Sequence, residues 1–359
     1  MVSSLSGGGA EGVCISVANG LANTGWEVDL VVMDLNKTAY LDRVDKKVNL
    51  ISLASSNARY AMIPLLKYIR LAKPDKVVVF KYELTALLVL MRGLFNLKHK
   101  IIARNINTFS KSRKQGQGVW QKQIANRLIQ RFFGKVDHVI NQCEAMQNDL
   151  ITTFPSLVNK TSVIYNPVAK HVEDYALLND RGIVDNQQEY LLCVGRLEKQ
   201  KAFHYAIEGF AKLKDSQPNL RLKFVGQGSL EQDLKALCER IGVRDRVDFE
   251  GFQSDMLPYY TQAKATLLTS LYEGFPNVLV ESITLGIPVI AFDCPSGPSE
   301  IVVQGVNGYL VEQFNVNELS QSINDCLSNT FDKTAIQNTA SKNKVAEVIK
   351  KYSQLIKSI

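Results

Sequence analysis

The chain of 359 residues contains no apolar run long enough to cross a bilayer. Its longest, Leu84 to Met91, is interrupted by Thr85 and stops at Arg92, well short of the roughly 20 residues that a spanning helix needs. No secretory leader is visible at the start, so the expected compartment is the cytoplasm. The six cysteines, Cys14, Cys143, Cys193, Cys238, Cys294 and Cys326, form no C-x-x-C pair. They read as buried free thiols in a reducing environment. Only four histidines occur, His99, His138, His171 and His204, which leaves little imidazole for acid–base work. His138, in a predicted buried strand, reads as structural. No aromatic RNA-binding strand or helix-turn-helix signal is present, and this removes nucleic acid from the expected partners.

Charge is present, and it is unevenly spread. Residues 1–170 carry 23 Lys and Arg against 11 Asp and Glu, whereas residues 171–359 carry 19 against 24. The net +7 therefore conceals a basic first half and a mildly acidic second half. A basic half suits an anionic membrane surface or a diphosphate-bearing acceptor, both reached by salt-sensitive attraction.

A chain of this length is expected to form two domains of about 150 to 180 residues. Strands are expected at residues 27–33, 76–80, 100–103 and 136–141, with helices at about 11–23, 60–72 and 84–95 between them. After a polar stretch from Ala169 to Gln188 the same alternation resumes, with strands at 190–194, 220–225, 247–250, 265–270 and 288–292. Alternating strands and helices imply parallel sheets. The expected class is α/β with two Rossmann-like domains facing each other across a cleft. Residues 1–168 form the first and 169–344 the second, and a C-terminal helix at about 345–359 packs back on the first. Ser229 with Gln232 predicts a capping box at the helix following strand 220–225.

The segment Leu267 to Asp293 carries the clearest chemistry. Glu273 and Glu281 lie eight residues apart across a strand-to-helix junction. Gly274 breaks the strand, and Pro276 with Asn277 opens the helix, proline suiting a first turn and asparagine a cap. Ligands of open α/β sheets collect at the carboxyl edge of the strands, where both glutamates are expected. An ionised carboxylate accepts two donors, as a vicinal diol such as ribose presents. The amides of Gly274, Phe275, Pro276's neighbour Asn277 and Val278 suit a phosphate or sugar oxygen. Gly195-Arg196 and Lys201, in VGRLEKQK after a buried strand, bring two cations to the same edge. A forked guanidinium and a compact ammonium suit a diphosphate. Gly7-Gly8-Gly9 before the first helix is a weaker anion signal, because it lacks the G-x-G-x-x-G spacing of a dinucleotide fold.

Lys111, Arg113, Lys114 and Trp120, with the amphipathic run Val119 to Phe133, combine cations and apolar side chains. Such a helix rests on an anionic bilayer or buries its stripe in the first domain, and the sequence leaves both open.

Taken together, SLSGGGAE, YNPV, VGRLEKQK, VGQGSLEQDL, FEGF, LYEGFPNVLVES and NGYLV resemble the motifs of retaining GT-B glycosyltransferases of family 4, over nearly the whole chain. The style of EGFPNVLVES and DCPSGPSE is similar to bacterial transferases of O-antigen and capsule assembly. The resemblance implies that Glu281 holds the nucleotide ribose, and that Glu273 with the backbone of Gly274, Phe275, Pro276 and Asn277 holds the transferred sugar. Arg196 and Lys201 would stabilise the departing diphosphate, aided by the amides of Gly8 and Gly9. Phe252 and Gln253 would lie beside the base. It implies no cofactor and no metal, in keeping with the lack of a D-x-D motif. The implied activity moves a hexose or N-acetylhexosamine from a nucleoside diphosphate sugar to a glycan acceptor, lipid-linked through polyprenyl diphosphate. The implied location is cytoplasmic, peripheral to the inner membrane. The alternatives are a non-catalytic relative that binds sugar nucleotide or glycan, and a sugar-nucleotide epimerase. Two departures stand out. Many relatives place a histidine where this chain reads Ala103-Arg104-Asn105, so Arg104 and Asn105 become acceptor-binding candidates. The first strand is also truncated to Met1-Val2-Ser3: either the true start lies upstream, or the first domain's sheet lacks a strand and exposes ladder groups that should be paired.

Overall fold

In the first unit, the three residues that open the chain stitch two pieces of sheet together. The computed structural model describes residues 1–36, 39–55, 60–106, 108, 127–178 and 188–359. Strand β1 (Asp29–Val32) pairs in parallel with β2 (Asn49–Ser52), and β3 (Lys76–Val79), β4 (Lys100–Arg104), β5 (His138–Asn141) and β6 (Thr161–Val163) form a second parallel ladder in that order. Between them runs the stub Met1–Ser3. Val2 N donates to Val31 O at 3.1 Å, Met33 N to Ser3 O at 3.3 Å, Phe80 N to Met1 O at 3.0 Å and Met1 N to Val78 O at 2.7 Å. Met1 and Val2 are buried. The expectation of unpaired groups at this row is thus corrected: a three-residue stub is long enough to span both neighbours, because each residue offers one donor and one acceptor.

The first unit comprises Met1–Ala169 and Val345–Ile359. Ile101, Ile102 and Ala103 of β4 are fully buried, the continuous apolar run of a parallel strand covered on both faces. The C-terminal helix Val345–Ser358 buries Val348, Ile349, Tyr352 and Ile356, a stripe at helical spacing. It lies against the helix Gly9–Asn23, and Gly20 makes the approach possible, since a Cβ there would sit 2.4 Å from Ile349 Cγ1. Trp26 Nε1 donates to Ser353 Oγ at 3.0 Å.

The second unit, Lys170–Lys344, holds six parallel strands: β7 (Tyr190–Val194), β8 (Arg221–Val225), β9 (Val247–Phe249), β10 (Ala265–Leu268), β11 (Val289–Phe292) and β12 (Gly308–Val311), in the order β12-β11-β10-β7-β8-β9. The chain leaves β7 toward one side, through β8 and β9, then returns to the other side of β7 for the remaining three. The order therefore reverses between β7 and β10, and a doubly wound sheet opens its ligand crevice at that reversal. Two loops flank it, residues 195–202 after β7 and 269–276 after β10. Each belongs to one of the two motifs singled out from the sequence.

Candidate active site at the switch point of the second unit

The loop after β7 is fixed by contact with its neighbour. Gly195 N donates to Val225 O at 3.0 Å and Leu197 N to Gln227 O at 3.0 Å. Gly226, at φ +145°, approaches so closely that a Cβ would fall 1.9 Å from Gly195 O, and only glycine permits that contact. The predicted capping box is not formed. Leu230 takes the N-cap of the helix Glu231–Arg240 with no side-chain cap, while Ser229 donates through its amide (3.0 Å) and hydroxyl (2.9 Å) to Glu198. Those two bonds hold the Glu198 carboxyl below its usual value. Ser229 ties two loops together instead of starting a helix, which leaves exposed Arg196 on a braced turn.

A single turn, Lys199–Lys201, then delivers Lys201 inward. Ala202 follows at φ +45°, the left-handed conformation that ends the turn. Lys201 Nζ donates to Glu273 Oε1 at 2.7 Å, and both side chains are almost wholly buried, at 16 % and 9 % exposure. Ser270 Oγ donates to the same oxygen at 2.6 Å. The β10 loop is pinned on three sides: Leu271 N donates to Gln200 O (2.8 Å), Glu273 N to Pro295 O (3.2 Å) and Gln313 Nε2 to Leu271 O (2.8 Å). Glu273 thus has a fixed carboxylate whose charge is balanced by one ammonium. Burial pushes the neighbouring Cys294 thiol up to about 12, with Glu273 adding to the rise and Lys201 opposing it. That thiol stays protonated and inert at neutral pH.

The helix Asn277–Thr284 starts one residue later than its sequence suggests. Pro276 is the N-cap and Asn277 the first helical residue, so proline, whose side chain has no acceptor to offer the free amides, precedes the first turn. Glycine is required at 297, at φ +100°, because a Cβ there would press 2.6 Å from Pro276 Cδ. Gly274, Phe275 and Pro276 are buried. Glu281 stands in the second turn, half-buried, and accepts a hydrogen bond from Tyr260 Oη at 2.9 Å. Tyr260, on the short helix Leu257–Thr261, is fully buried, and burial followed by the Glu281 charge raises its phenol well above 10. It is therefore a neutral, fixed donor that orients the Glu281 carboxylate. Sequence reasoning missed Tyr260, which lies 21 residues before its partner with no spacing signal. Ser270, three residues from Glu273, was within reach of a closer reading. Phe252 is 53 % exposed, and Gln253 turns back to donate to Glu250 O at 2.8 Å.

The first unit disposes of its candidates differently. Gly8 is the N-cap of the helix Gly9–Asn23, with no side-chain cap, and the Glu11 carboxylate lies against it, 2.3 Å from where a Gly8 Cβ would be. Arg104 and Asn105 were expected to meet an acceptor, but the structure encloses both. Arg104 is 1 % exposed and donates to Tyr352 Oη and Asn166 Oδ1, with its guanidinium 5.5 Å from the Phe80 ring centroid. Asn105, fully buried, accepts from Tyr82 Oη and donates to Asn141 Oδ1 at 3.0 Å. Their place at the end of β4 fixes them in a polar network inside the domain, where each group finds a partner in the chain itself. His138 faces Ser162 Oγ at 2.9 Å. Lys111, Arg113, Lys114 and Trp120 lie outside the described residues. Of the run around them, residues 127–132 are helical, and Ile129 and Phe133 are buried whereas Leu128 is exposed. Among the described residues no helix is long and apolar enough to cross a membrane.

Comparison with known proteins agrees with this architecture. The family model described as Glycosyltransferase Family 4 matches residues 7–171, and that described as Glycosyl transferases group 1 matches residues 179–344. The amylovoran biosynthesis glycosyltransferase AmsD of Erwinia amylovora is 27% identical, over 93% of this chain and 92% of that one. A Campylobacter jejuni protein, named as an N-acetylgalactosamine-N,N'-diacetylbacillosaminyl-diphospho-undecaprenol 4-alpha-N-acetylgalactosaminyltransferase, is 27% identical over 70% of this chain and 67% of its own. Among solved structures, Anabaena HepE in complex with UDP-glucose superposes with a TM-score of 0.78 at 22% identity, covering 100% of this chain and 98% of that one. Two matched models spanning most of the chain, together with two parallel-stranded Rossmann-like units, place this protein among the GT-B glycosyltransferases of the family 4 type.

Proposed function

We propose that the chain transfers a hexose or N-acetylhexosamine from a nucleoside diphosphate sugar to a hydroxyl of a lipid-linked glycan, with retention of anomeric configuration and without a metal ion, during assembly of a surface polysaccharide. The observation that carries the reading is the pairing of two preset groups at one sheet edge: Glu281 held by Tyr260, and Glu273 held by Lys201 and Ser270. Both carboxylates are fixed as acceptors before any ligand arrives, so neither pays much ordering entropy on binding. Glu281 accepts the ribose hydroxyls and Glu273 those of the sugar.

In the transfer, the bond from the anomeric carbon to the diphosphate oxygen breaks while the acceptor oxygen bonds to that carbon on the same face. The acceptor's proton passes to the departing phosphate oxygen. Negative charge gathers on the diphosphate, and Arg196 and Lys201 are the cations of this edge that would meet it, the role of an electrostatic clamp. Among the described residues no group of three or more His, Cys, Asp or Glu side chains is placed to hold a metal ion. The lipid-linked acceptor is suggested by the Campylobacter relative's name and by the basic first half of the chain. The same basic half favours contact with the anionic cytoplasmic face of the inner membrane.

The test has two parts. A panel of nucleoside diphosphate sugars should contain one that raises the melting temperature by mass action. With that donor and a polyprenyl-diphosphate-linked glycan, product should accumulate with the donor's anomeric configuration, read by NMR. Stabilisation without product on any such acceptor would support the non-catalytic relative, and an altered sugar nucleotide without acceptor would support the epimerase.

A further inference from the structure

The helix Met62–Ala72 of the first unit buries Leu65 and Ile69 and leaves its opposite face to solvent. At about 100° per residue, Ile63, Lys67, Arg70 and Leu71 fall within one stripe of that face, roughly 100° wide. The outer stripe of a surface helix is normally polar. Here Ile63 is 76 % exposed and Leu71 73 %, with two exposed cations between them in the sequence. Exposed Lys73 follows directly after the helix. The next helix, Tyr82–Leu94, adds to the surface where it ends: Arg70 lies 5.6 Å from the Phe95 ring centroid, and Leu94 is 64 % exposed.

Single exposed apolar residues are ordinary, whereas several on one face mark an interaction surface. The charge indicates the partner. From Tyr60 to Lys76 the chain carries Lys67, Arg70, Lys73 and Lys76 against one acid, Asp75. Lys76 is taken, since it donates to Ile356 O. Among the described residues Lys67, Arg70 and Lys73 have no carboxylate partner, and the helix itself contains no acid. A convex helix offers no pocket to a small ligand. Large aliphatic side chains set among unpaired cations match the boundary of an anionic bilayer, where the aliphatic groups enter the acyl margin and the long cationic ones reach the lipid phosphates.

Building on the membrane contact proposed above, we infer that this face docks the first unit on an anionic bilayer, with the helix Met62–Ala72 lying in the interface plane. Flotation of the full chain with vesicles tests the docking, using phosphatidylcholine with about one-third phosphatidylglycerol against phosphatidylcholine alone. The wild type should float with the anionic vesicles only, and about 0.5 M salt should release most of it. Ile63→Ser with Leu71→Ser, and separately Lys67→Gln with Arg70→Gln, should each weaken binding about tenfold or more. All four positions are exposed, so the melting temperature should stay close to that of the wild type. Wild-type protein that fails to float would overturn the membrane contact itself. Wild-type flotation with unweakened binding in either pair of variants would overturn this face alone. Self-association in solution that the aliphatic pair abolishes, without flotation, would assign the face to a second copy of the chain.

Discussion

Replacing Tyr260 by Phe removes one oxygen and nothing else from the second unit's core. The lost atom donates to Glu281 at 2.9 Å from a fully buried position. A hydrogen bond to a charged group is worth about 1.5 to 3 kcal/mol. Because Glu281 is half-buried, water can replace part of it, so about 1 kcal/mol should be lost from donor binding. That corresponds to a roughly fivefold rise in donor Kd. Glu281 is proposed to grip the ribose, which is the same in ground and transition states, so kcat should stay within about twofold while KM rises. The assay is calorimetric titration of the donor, or of its nucleoside diphosphate, with initial rates alongside. A cycle with Glu281→Ala separates positioning from simple packing. If Tyr260 acts through Glu281, the Phe change should add almost nothing to the loss already caused by Glu281→Ala. An unchanged Kd in Tyr260→Phe, or full additivity in the double variant, would refute the reasoning even if the melting temperature fell.

Three further outcomes follow from the same geometry. Lys201→Met leaves the buried Glu273 carboxylate without its ammonium; it should destabilise the second unit by about 3 kcal/mol, seen in urea unfolding, and lower kcat by about 10² or more. Gly226→Ala places a Cβ on Gly195 O at a left-handed φ, so the Arg196 loop must shift, with a loss of at least about 2 kcal/mol in the same unfolding experiment and weaker diphosphate binding. All six cysteines are buried, and burial pushes Cys238 up to about 11 and Cys294 and Cys326 up to about 12. At pH 8, below those values, the thiolate fraction is minute, so a disulfide reagent should label the native chain negligibly within minutes and six thiols after unfolding.

Much of this architecture was written in local pattern. The buried parallel strands β4, β7, β10 and β11 are short apolar runs bounded by turn residues, and each appears within a residue or two of its predicted position. Three strands gave no such signal. β2 and β6 are half-exposed and β6 is only three residues long, so neither shows an apolar run, and β12 is a Gly-Tyr-Leu-Val fragment. Their strand character comes from pairing with a neighbour, which is tertiary information. The site divides in the same way. Glu273, Glu281 and Lys201 sit at motif spacing, whereas the partner of Glu281 comes from an element before β10. Arg104 and Asn105 show the opposite failure. A charged and a polar residue at a strand's end look like site chemistry until Tyr352, Asn166, Tyr82 and Asn141 are seen to enclose them. Ser229 looked like a cap because its partner Glu198 is on another loop.

The central claim is that the loops after β7 and β10 hold a nucleoside diphosphate sugar, and a crystal structure with the donor selected by thermal stabilisation tests it most directly. The ribose hydroxyls should lie about 3 Å from the Glu281 carboxylate, still bonded to Tyr260, with sugar hydroxyls on Glu273 and diphosphate oxygens within about 4 Å of Arg196 and Lys201. A donor bound with its ribose or diphosphate away from all four of these side chains would contradict it.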